Sequence, residues 1–177
     1  DFTPDTGAHL KILDLGTGTG CLLGALLSEL THASGVGVDA NESAAKIARK
    51  NMARLGFSNR TEIRTGNWGY DITGSFDIIA CNPPYIRSQD ITKLDKEVGQ
   101  YEPHLALDGG NDGLDAYPTL AGQISRLLKN TGLAAIEVGF GQAQAVTHIF
   151  EDTGLEICHI HHDLASRERC LLATVSN

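Results

Sequence analysis

The chain has 177 residues and a formal net charge of −8, from 14 Lys+Arg against 22 Asp+Glu. This length predicts one domain, large enough to bury a core without disulfides or metal. The acidic balance disfavours a broad basic surface for nucleic acid, and no apolar run approaches the roughly 20 residues of a bilayer span. We therefore expect neither nucleic acid nor membrane as a partner. Glycine is over-represented, at 20 residues, which predicts backbone positions that other residues cannot adopt.

Short apolar runs alternate with helical periodicities along the chain. Strands are predicted over residues 11–15, 35–39, 61–65, 76–81, 133–138, 155–161 and 169–175. Helices are predicted over 21–30, from the expected N-cap Asn41 to Gly56, over 115–128 and over 142–152. The order predicts an α/β protein, a doubly wound and mostly parallel sheet with an antiparallel closing strand. Residues 82–113 lack clear periodicity and are predicted to be a functional loop.

Two further expectations concern side-chain burial. In the second helix the apolar series should face the core: Ala44, Ile47, Ala48, Met52 and Leu55. The four cysteines, Cys21, Cys81, Cys158 and Cys170, lack metal-ligand spacing and are predicted to be small buried side chains. They indicate a reducing compartment, and we expect a cytoplasmic protein without a metal.

A glycine-rich turn connects the first strand to the first helix. Its pattern runs Asp14, Gly16, Gly18, Gly20, and Cys21 stands where a dinucleotide fingerprint requires glycine. Asp39 ends the second strand, where a carboxylate can accept hydrogen bonds from both ribose hydroxyls of a nucleoside. The combination resembles a class I S-adenosylmethionine (SAM)-dependent methyltransferase. The alternative is a turn that only packs helix on strand.

After the third strand come Asn67, whose amide oxygen can accept a hydrogen bond from an adenine amino group, and Trp68. Trp68 is equally compatible with stacking on adenine and with a place in the core.

The sequence Asn82-Pro83-Pro84-Tyr85 directly follows the fourth strand and should face the same crevice as the glycine turn. An amide or exocyclic amine nitrogen is a poor nucleophile, and two fixed acceptors can hold its N–H groups. The Asn82 side-chain oxygen and the Pro83 carbonyl can serve as these acceptors, while the prolines stiffen the loop. Tyr85 offers an aromatic face to a flat substrate group or a cation. The alternative is an ordinary proline turn.

Four segments favour one substrate among the methyltransferases that share this tetrapeptide. NPPYI, YEPHLALDGGNDGLDAY, IEVGFGQ and DLASRER resemble the HemK/PrmC family, the N5-glutamine methyltransferases of class I peptide-chain release factors. The resemblance implies a Rossmann-like fold, SAM as cofactor with S-adenosylhomocysteine as product, and the glutamine of the Gly-Gly-Gln motif as substrate. It also implies that residues 1–177 are the catalytic domain, without the family's small helical N-terminal domain, and that the protein is a monomer.

The resemblance assigns residues as follows. Catalytic roles fall to Asn82, Pro83 and Tyr85; cofactor contacts to Asp14, Gly16, Thr17, Gly18, Gly20, Asp39, Ala40, Asn67, Trp68 and Asn82; substrate contacts to Asn82, Pro83, Pro84, Tyr85, Glu102 and Pro103. Two alternatives remain open. One is a methyltransferase acting on adenine or guanine in DNA or ribosomal RNA, and the other is a nucleotide-binding module without catalysis.

The C-terminal part carries three structural expectations. Glu137 should position other groups, because the proposed chemistry needs no strong base. His159, His161 and His162 should belong to a solvated or edge strand, and Asp163 should pair with Arg169.

Overall fold

Every predicted strand lies in one sheet of the computed structural model, which describes residues 9–94 and 103–176. The strands are β1 (Lys11–Leu15), β2 (Ser34–Asp39), β3 (Thr61–Thr65), β4 (Phe76–Cys81), β5 (Leu128–Glu137), β6 (Leu155–His162) and β7 (Glu168–Val175). The helices are α1 (Cys21–Glu29), α2 (Glu42–Arg54), α3 (Ser88–Ile91), α4 (His104–Leu107), α5 (Tyr117–Leu127) and α6 (Ala143–Glu151).

The order of strands across the sheet is β3-β2-β1-β4-β5-β7-β6. The first five strands pair in parallel, while β7 runs antiparallel to both β5 and β6. The predicted doubly wound sheet with its antiparallel closing strand is therefore confirmed. Strand order reverses between β1 and β4, and in such sheets ligands bind beyond the carboxyl ends of the strands at that reversal.

Two apolar clusters cover the two faces of the sheet. On one face Ile12 and Ile78 pack with Leu23 and Leu27 of α1 and Met52 of α2. The other face carries the larger cluster, in which strand residues pack with α5 and α6; it includes Leu13, Leu15, Ile79, Leu120, Ile124, Val146 and Phe150. Because β1 is covered on both sides, the adjacent residues Ile12 and Leu13, which point to opposite faces, are both apolar and buried.

The expected ends of α2 are confirmed. The Asn41 side-chain oxygen accepts a hydrogen bond from the Ser43 N–H at 2.9 Å, which caps the first turn. Gly56 follows the helix with φ +78°, a left-handed conformation that suits glycine at a helix end.

The predicted buried face of α2 is wrong in part. The structure buries Ala45, Ala48 and Met52, whereas Ile47 and Leu55 are 45% and 51% exposed. A Cβ on Gly20 would lie 3.2 Å from the Ala48 Cβ, so the start of α1 approaches this face closely. Ala48 and the flexible Met52 therefore face inward, and Ile47 and Leu55 remain largely exposed.

The predicted burial of the cysteines holds for Cys81 and fails for Cys21 and Cys158, which are exposed. Cys158 belongs to β6, an edge strand with one open side, and Cys21 is the first residue of α1, beside the glycine turn. In residues 9–94 and 103–176, no group of three or more His, Cys, Asp and Glu could hold a metal ion. Over the same ranges, no helix has the length and apolarity that crossing a membrane requires.

The edge strand β6 carries the histidines. The rings of His159 and His161 lie 4.5 Å apart between centroids, so they share a face of the strand. The register with β7 shifts twice, between Ile157 and His159 and between His161 and His162. The expected edge strand is therefore present, and it is irregular.

Candidate active site

The carboxyl ends of the central strands are level with one another. Leu15 of β1 pairs with Val38 of β2 and with Cys81 of β4, and Cys81 pairs in turn with Ile136 of β5. The segments that follow these four residues therefore leave the sheet at one edge. The glycine turn and the Asn82–Tyr85 loop lie together at this edge, as the sequence predicts, and Asp39 and Glu137 end their strands at the same edge.

The glycine turn requires its glycines. Gly16, Gly18 and Gly20 have φ values of +73°, +56° and +80°, which side-chain-bearing residues rarely adopt. The N–H groups of Gly16 and Thr17 both donate to the Val38 carbonyl at 2.9 Å and fold the turn onto β2. No atom of the described residues lies within 4 Å of where a Cβ on Gly18 would be. The turn thus leaves open space that a ligand can enter.

Asp39 is oriented by the chain itself. Its Oδ2 accepts a hydrogen bond from the Gly18 N–H at 2.7 Å, and its Oδ1 accepts one from the Asn41 N–H at 2.8 Å. Each carboxylate oxygen can accept a further hydrogen bond. The neighbouring Ala40 is exposed. The predicted pair of ribose acceptors is therefore held in place beside the open turn.

Asp14 lies beneath the glycine turn and is 1% exposed. The Thr17 Oγ1 donates a hydrogen bond to its Oδ2 at 2.7 Å. Burial raises the pKa of Asp14 to about 6, and hydrogen bonds from Thr17 and from the Leu23 backbone offset part of that increase. In this position Asp14 supports the shape of the turn.

Trp68 lies against the glycine turn and has a left-handed backbone, with φ +49°. The ring packs directly on Gly16: a Cβ at that position would lie 3.2 Å from the Trp68 Cζ3 and would crowd the ring. Trp68 is half-buried, packed against the larger apolar cluster, and Asn67 is exposed. Arg126 of α5, which the sequence did not single out, donates to the Gly69 carbonyl at 2.7 Å and fixes this segment.

The Asn82–Tyr85 loop lies beside the glycine turn. A Cβ on Gly16 would lie 3.9 Å from the Asn82 carbonyl oxygen. Asn82 is exposed, Pro83 is buried, and Pro84 and Tyr85 are half-buried. The loop thus presents the exposed Asn82 amide on a stiff, partly buried backbone.

The Tyr85 side chain contacts two charged residues. Its Oη donates to the Glu137 Oε1 at 3.0 Å, and the Arg169 guanidinium lies 6.0 Å from its ring centroid. Burial raises the pKa of Tyr85, the Glu137 charge adds to the increase, and Arg169 opposes it. Arg169 also donates to the Val138 carbonyl at 3.1 Å and pairs with Asp163 at 3.4 Å. The predicted Asp163–Arg169 ion pair is confirmed.

Gln142, which the sequence analysis did not identify, is buried between this loop and β5. Its amide contacts the backbone of Tyr85, Gly113 and Gly139. Since all three partners are backbone groups, and Tyr85 and Gly113 are distant along the chain, no residue pattern signals the contact.

The segment beyond the loop bears the remaining predicted substrate residues. Pro103 is exposed and precedes α4, while Glu102 lies outside the described residues. A cavity of about 430 Å³ opens here, lined by Ser88, His104, Leu105, Asp108, Gly110, Asn111 and Asp115. The Ile86–Asp108 bridge connects this segment to the residues after Tyr85.

Known proteins resemble this chain in sequence and in fold. A family profile described as "Methyltransferase small domain" matches residues 3–101. The chain belongs to this family. It is 47% identical over 167 residues to the release factor glutamine methyltransferase of Rhodospirillum rubrum. The aligned residues make up 94% of this chain and 51% of that protein. With the protein of the same name from Agrobacterium fabrum it shares 44% identity over 161 residues, 91% of this chain and 56% of that protein.

The chain thus spans about half the length of the curated relatives it matches. The resemblance to release-factor glutamine methyltransferases, drawn from the sequence segments, is confirmed. Among solved structures, a methyltransferase from Pyrococcus furiosus superimposes with a TM-score of 0.69 at 17% identity, covering 96% of this chain and 77% of that chain. At that identity the likeness concerns the fold alone.

Proposed function

We propose that this chain is a single catalytic domain that transfers a methyl group from SAM to the side-chain amide nitrogen of the glutamine in the Gly-Gly-Gln motif of peptide-chain release factors. The observation that carries the proposal is the position of the Asn82–Tyr85 loop beside the open glycine turn. A Cβ on Gly16 would lie 3.9 Å from the Asn82 carbonyl oxygen. The names of the relatives that align with nine-tenths of this chain support the same substrate.

The residues of the crevice fit SAM. The open space at Gly18 admits a ligand that a Cβ would obstruct, and the Asp39 oxygens each keep a lone pair for a ribose hydroxyl. Asn67 and Trp68 lie on the side of the turn where we place the adenine. When bound, SAM supplies an electrophilic methyl group on a sulfonium. The demethylated product keeps the same ribose and adenine.

The chain contributes positioning and hydrogen-bond acceptors. The Asn82 Oδ1 and the Pro83 carbonyl hold the two N–H groups of the substrate amide, so that its nitrogen lone pair is free to form the new bond. As the N–C bond forms, the bond between sulfur and the methyl carbon would break and its electron pair would stay on sulfur. The nitrogen would then pass one proton to water, so no strong base is required. Most of the rate enhancement then comes from fixed geometry and fixed dipoles. Tyr85 packs against the substrate, and Glu137 positions Tyr85 by accepting a hydrogen bond from the Tyr85 Oη.

The acidic net charge supports a protein substrate over nucleic acid. Pro103 and Glu102 belong to the segment that we assign to substrate binding. We assign the protein to the cytoplasm, where release factors act, and to the monomeric state.

The test is transfer of labelled methyl from SAM to purified release factor, with ribosomal RNA and DNA as competing substrates. We expect label in the release factor, removed when its glutamine is replaced. Asn82→Ala should lower kcat by about 10²–10³-fold, because one acceptor is lost, while SAM binding measured by calorimetry remains.

Asn59→Ala, at an exposed asparagine in the turn before β3, is the matched control and should leave kcat unchanged. Label in nucleic acid and none in the release factor would overturn the proposed substrate. SAM binding without any transfer would favour a binding module.

A further inference from the structure

One buried amide joins three segments around the Asn82–Tyr85 loop. Gln142, directly before α6, is 9% exposed. Its Oε1 accepts a hydrogen bond from the Gly139 N–H at 2.9 Å, and its Nε2 donates to the carbonyls of Tyr85 at 3.0 Å and Gly113 at 3.2 Å. Both amide protons and one oxygen lone pair are therefore used on the main chain.

Glycines make the room for this amide. A Cβ on Gly139 would lie 2.6 Å from the Gln142 Oε1 and 3.0 Å from the Tyr85 Cδ2. A Cβ on Gly113 would collide with the Gln142 Nε2 and lie 2.5 Å from the Tyr85 carbonyl oxygen, and Gly113 has φ +82°. The backbone on both sides of Gln142 is thus shaped around its side chain.

The Tyr85 carbonyl is the exit of the loop that bears the proposed acceptors. The entry of the loop is fixed by β4, which ends at Cys81, and the two prolines between restrict the backbone. A hydrogen bond at Tyr85 therefore holds the loop at its second end. We propose that Gln142 is a positioning residue for methyl transfer, which orients the Asn82 and Pro83 acceptors by fixing the backbone of Tyr85; this inference rests on the proposed function.

The role requires a neutral amide. A carboxylate in its place has no donor and would face two carbonyl oxygens, whereas a protonated carboxyl has one donor and keeps an acceptor for Gly139. Gln142→Glu should therefore regain activity as the pH falls and the new carboxyl becomes protonated. The ionisable side chains on the segments packed around Gln142 include Tyr85, Asp112, Asp115, Tyr117, Glu137, His148, Glu151 and Arg169. All of them are present in both the variant and the wild type, so the activity ratio compares the two side chains at position 142 in the same surroundings.

The experiment measures kcat and KM for release factor, and the dissociation constant of SAM, in wild type, Gln142→Ala and Gln142→Glu between about pH 6 and pH 8.5. Loss of loop positioning should lower kcat of Gln142→Ala by about 10- to 100-fold, with SAM affinity within about twofold of wild type. The ratio of Gln142→Glu to wild-type kcat should rise as the pH falls. Gln144→Ala, at an exposed glutamine in the same helix, is the matched control and should match wild type.

A kcat within twofold of wild type for Gln142→Ala, or a Gln142→Glu ratio that is flat with pH, would overturn the inference. An equal loss of SAM affinity would assign Gln142 a general structural role and would overturn it too. If wild type transfers no methyl to release factor, the proposed function fails before any variant is compared. That outcome is therefore distinct from failure of the Gln142 inference alone.

Discussion

Replacing Asp14 by asparagine should change how the stability of the fold depends on pH. The carboxyl lies beneath the glycine turn, 1% exposed, and burial raises its pKa from the ordinary 3.8 to about 6. In the unfolded chain the group ionises near its ordinary pKa. The folded protein therefore holds a proton that the unfolded chain has already released, and folding becomes less favourable as the pH rises through this interval.

The magnitude follows from the two pKa values. A pKa raised from 3.8 to about 6 corresponds to about 3 kcal/mol of lost stability once the group is ionised in both states. Integrated from about pH 4.5 to about pH 8, the change is about 2 kcal/mol. Asp14→Asn does not titrate. Its stability relative to wild type should therefore rise by this amount over that range, whatever pH-independent cost the new amide introduces.

Urea unfolding at a series of pH values measures this difference. The matched control is Asp77→Asn. Burial raises the pKa of Asp77, but hydrogen bonds from the Lys129 ammonium and the Lys11 N–H lower it by more, so that this pKa lies below 3.8. Asp77 stabilises the fold above its unfolded pKa, so Asp77→Asn should destabilise, and less so as the pH falls. A relative stability of Asp14→Asn that is constant with pH, or that falls as the pH rises, would refute the reasoning.

Two further predictions concern the glycine turn. Asp39→Ala should weaken SAM binding by about 1–3 kcal/mol in calorimetry, because charge-assisted hydrogen bonds are lost; the exposed Asp152→Ala is the control, and an unchanged affinity would remove Asp39 from the site. Gly20→Ala should lower stability by at least about 1–2 kcal/mol, because φ is +80° and its Cβ would crowd the Met52 Cε at 3.1 Å. Gly122→Ala, whose new Cβ would meet open space, should instead stabilise the fold by about 0.5–1 kcal/mol. Thermal unfolding measures both variants, and a shift of the melting temperature that is the same for the two would contradict the argument.

The central strands were predictable because parallel strands are buried on both faces, and β1 and β4 begin and end where their apolar residues predict. The predicted bounds of β3 also hold, although none of its residues is buried. The inward face of α2 was predicted poorly, since hydrophobicity favours Ile47 and Leu55 for the core. In the structure the start of α1 packs closely on Ala48 and Met52 instead, a tertiary contact that no local pattern records.

The candidate site divides in the same way. Asp39 and Asn82 follow predicted strands, so their common edge could be inferred from the order of the elements. Gln142 could not, because its donors contact carbonyl oxygens 57 and 29 residues away, and every residue type has a carbonyl. The contact becomes visible only when β5, the loop after β4 and the residues before α5 are assembled.

The irregular edge strand β6 has a consequence for how copies of this chain meet. An open edge with regular spacing is a template on which another strand can add, and chains can polymerise through it. The register shifts at His159 and at His162 break that regular spacing along the outermost strand. The outermost strand therefore discourages the growth of intermolecular sheet.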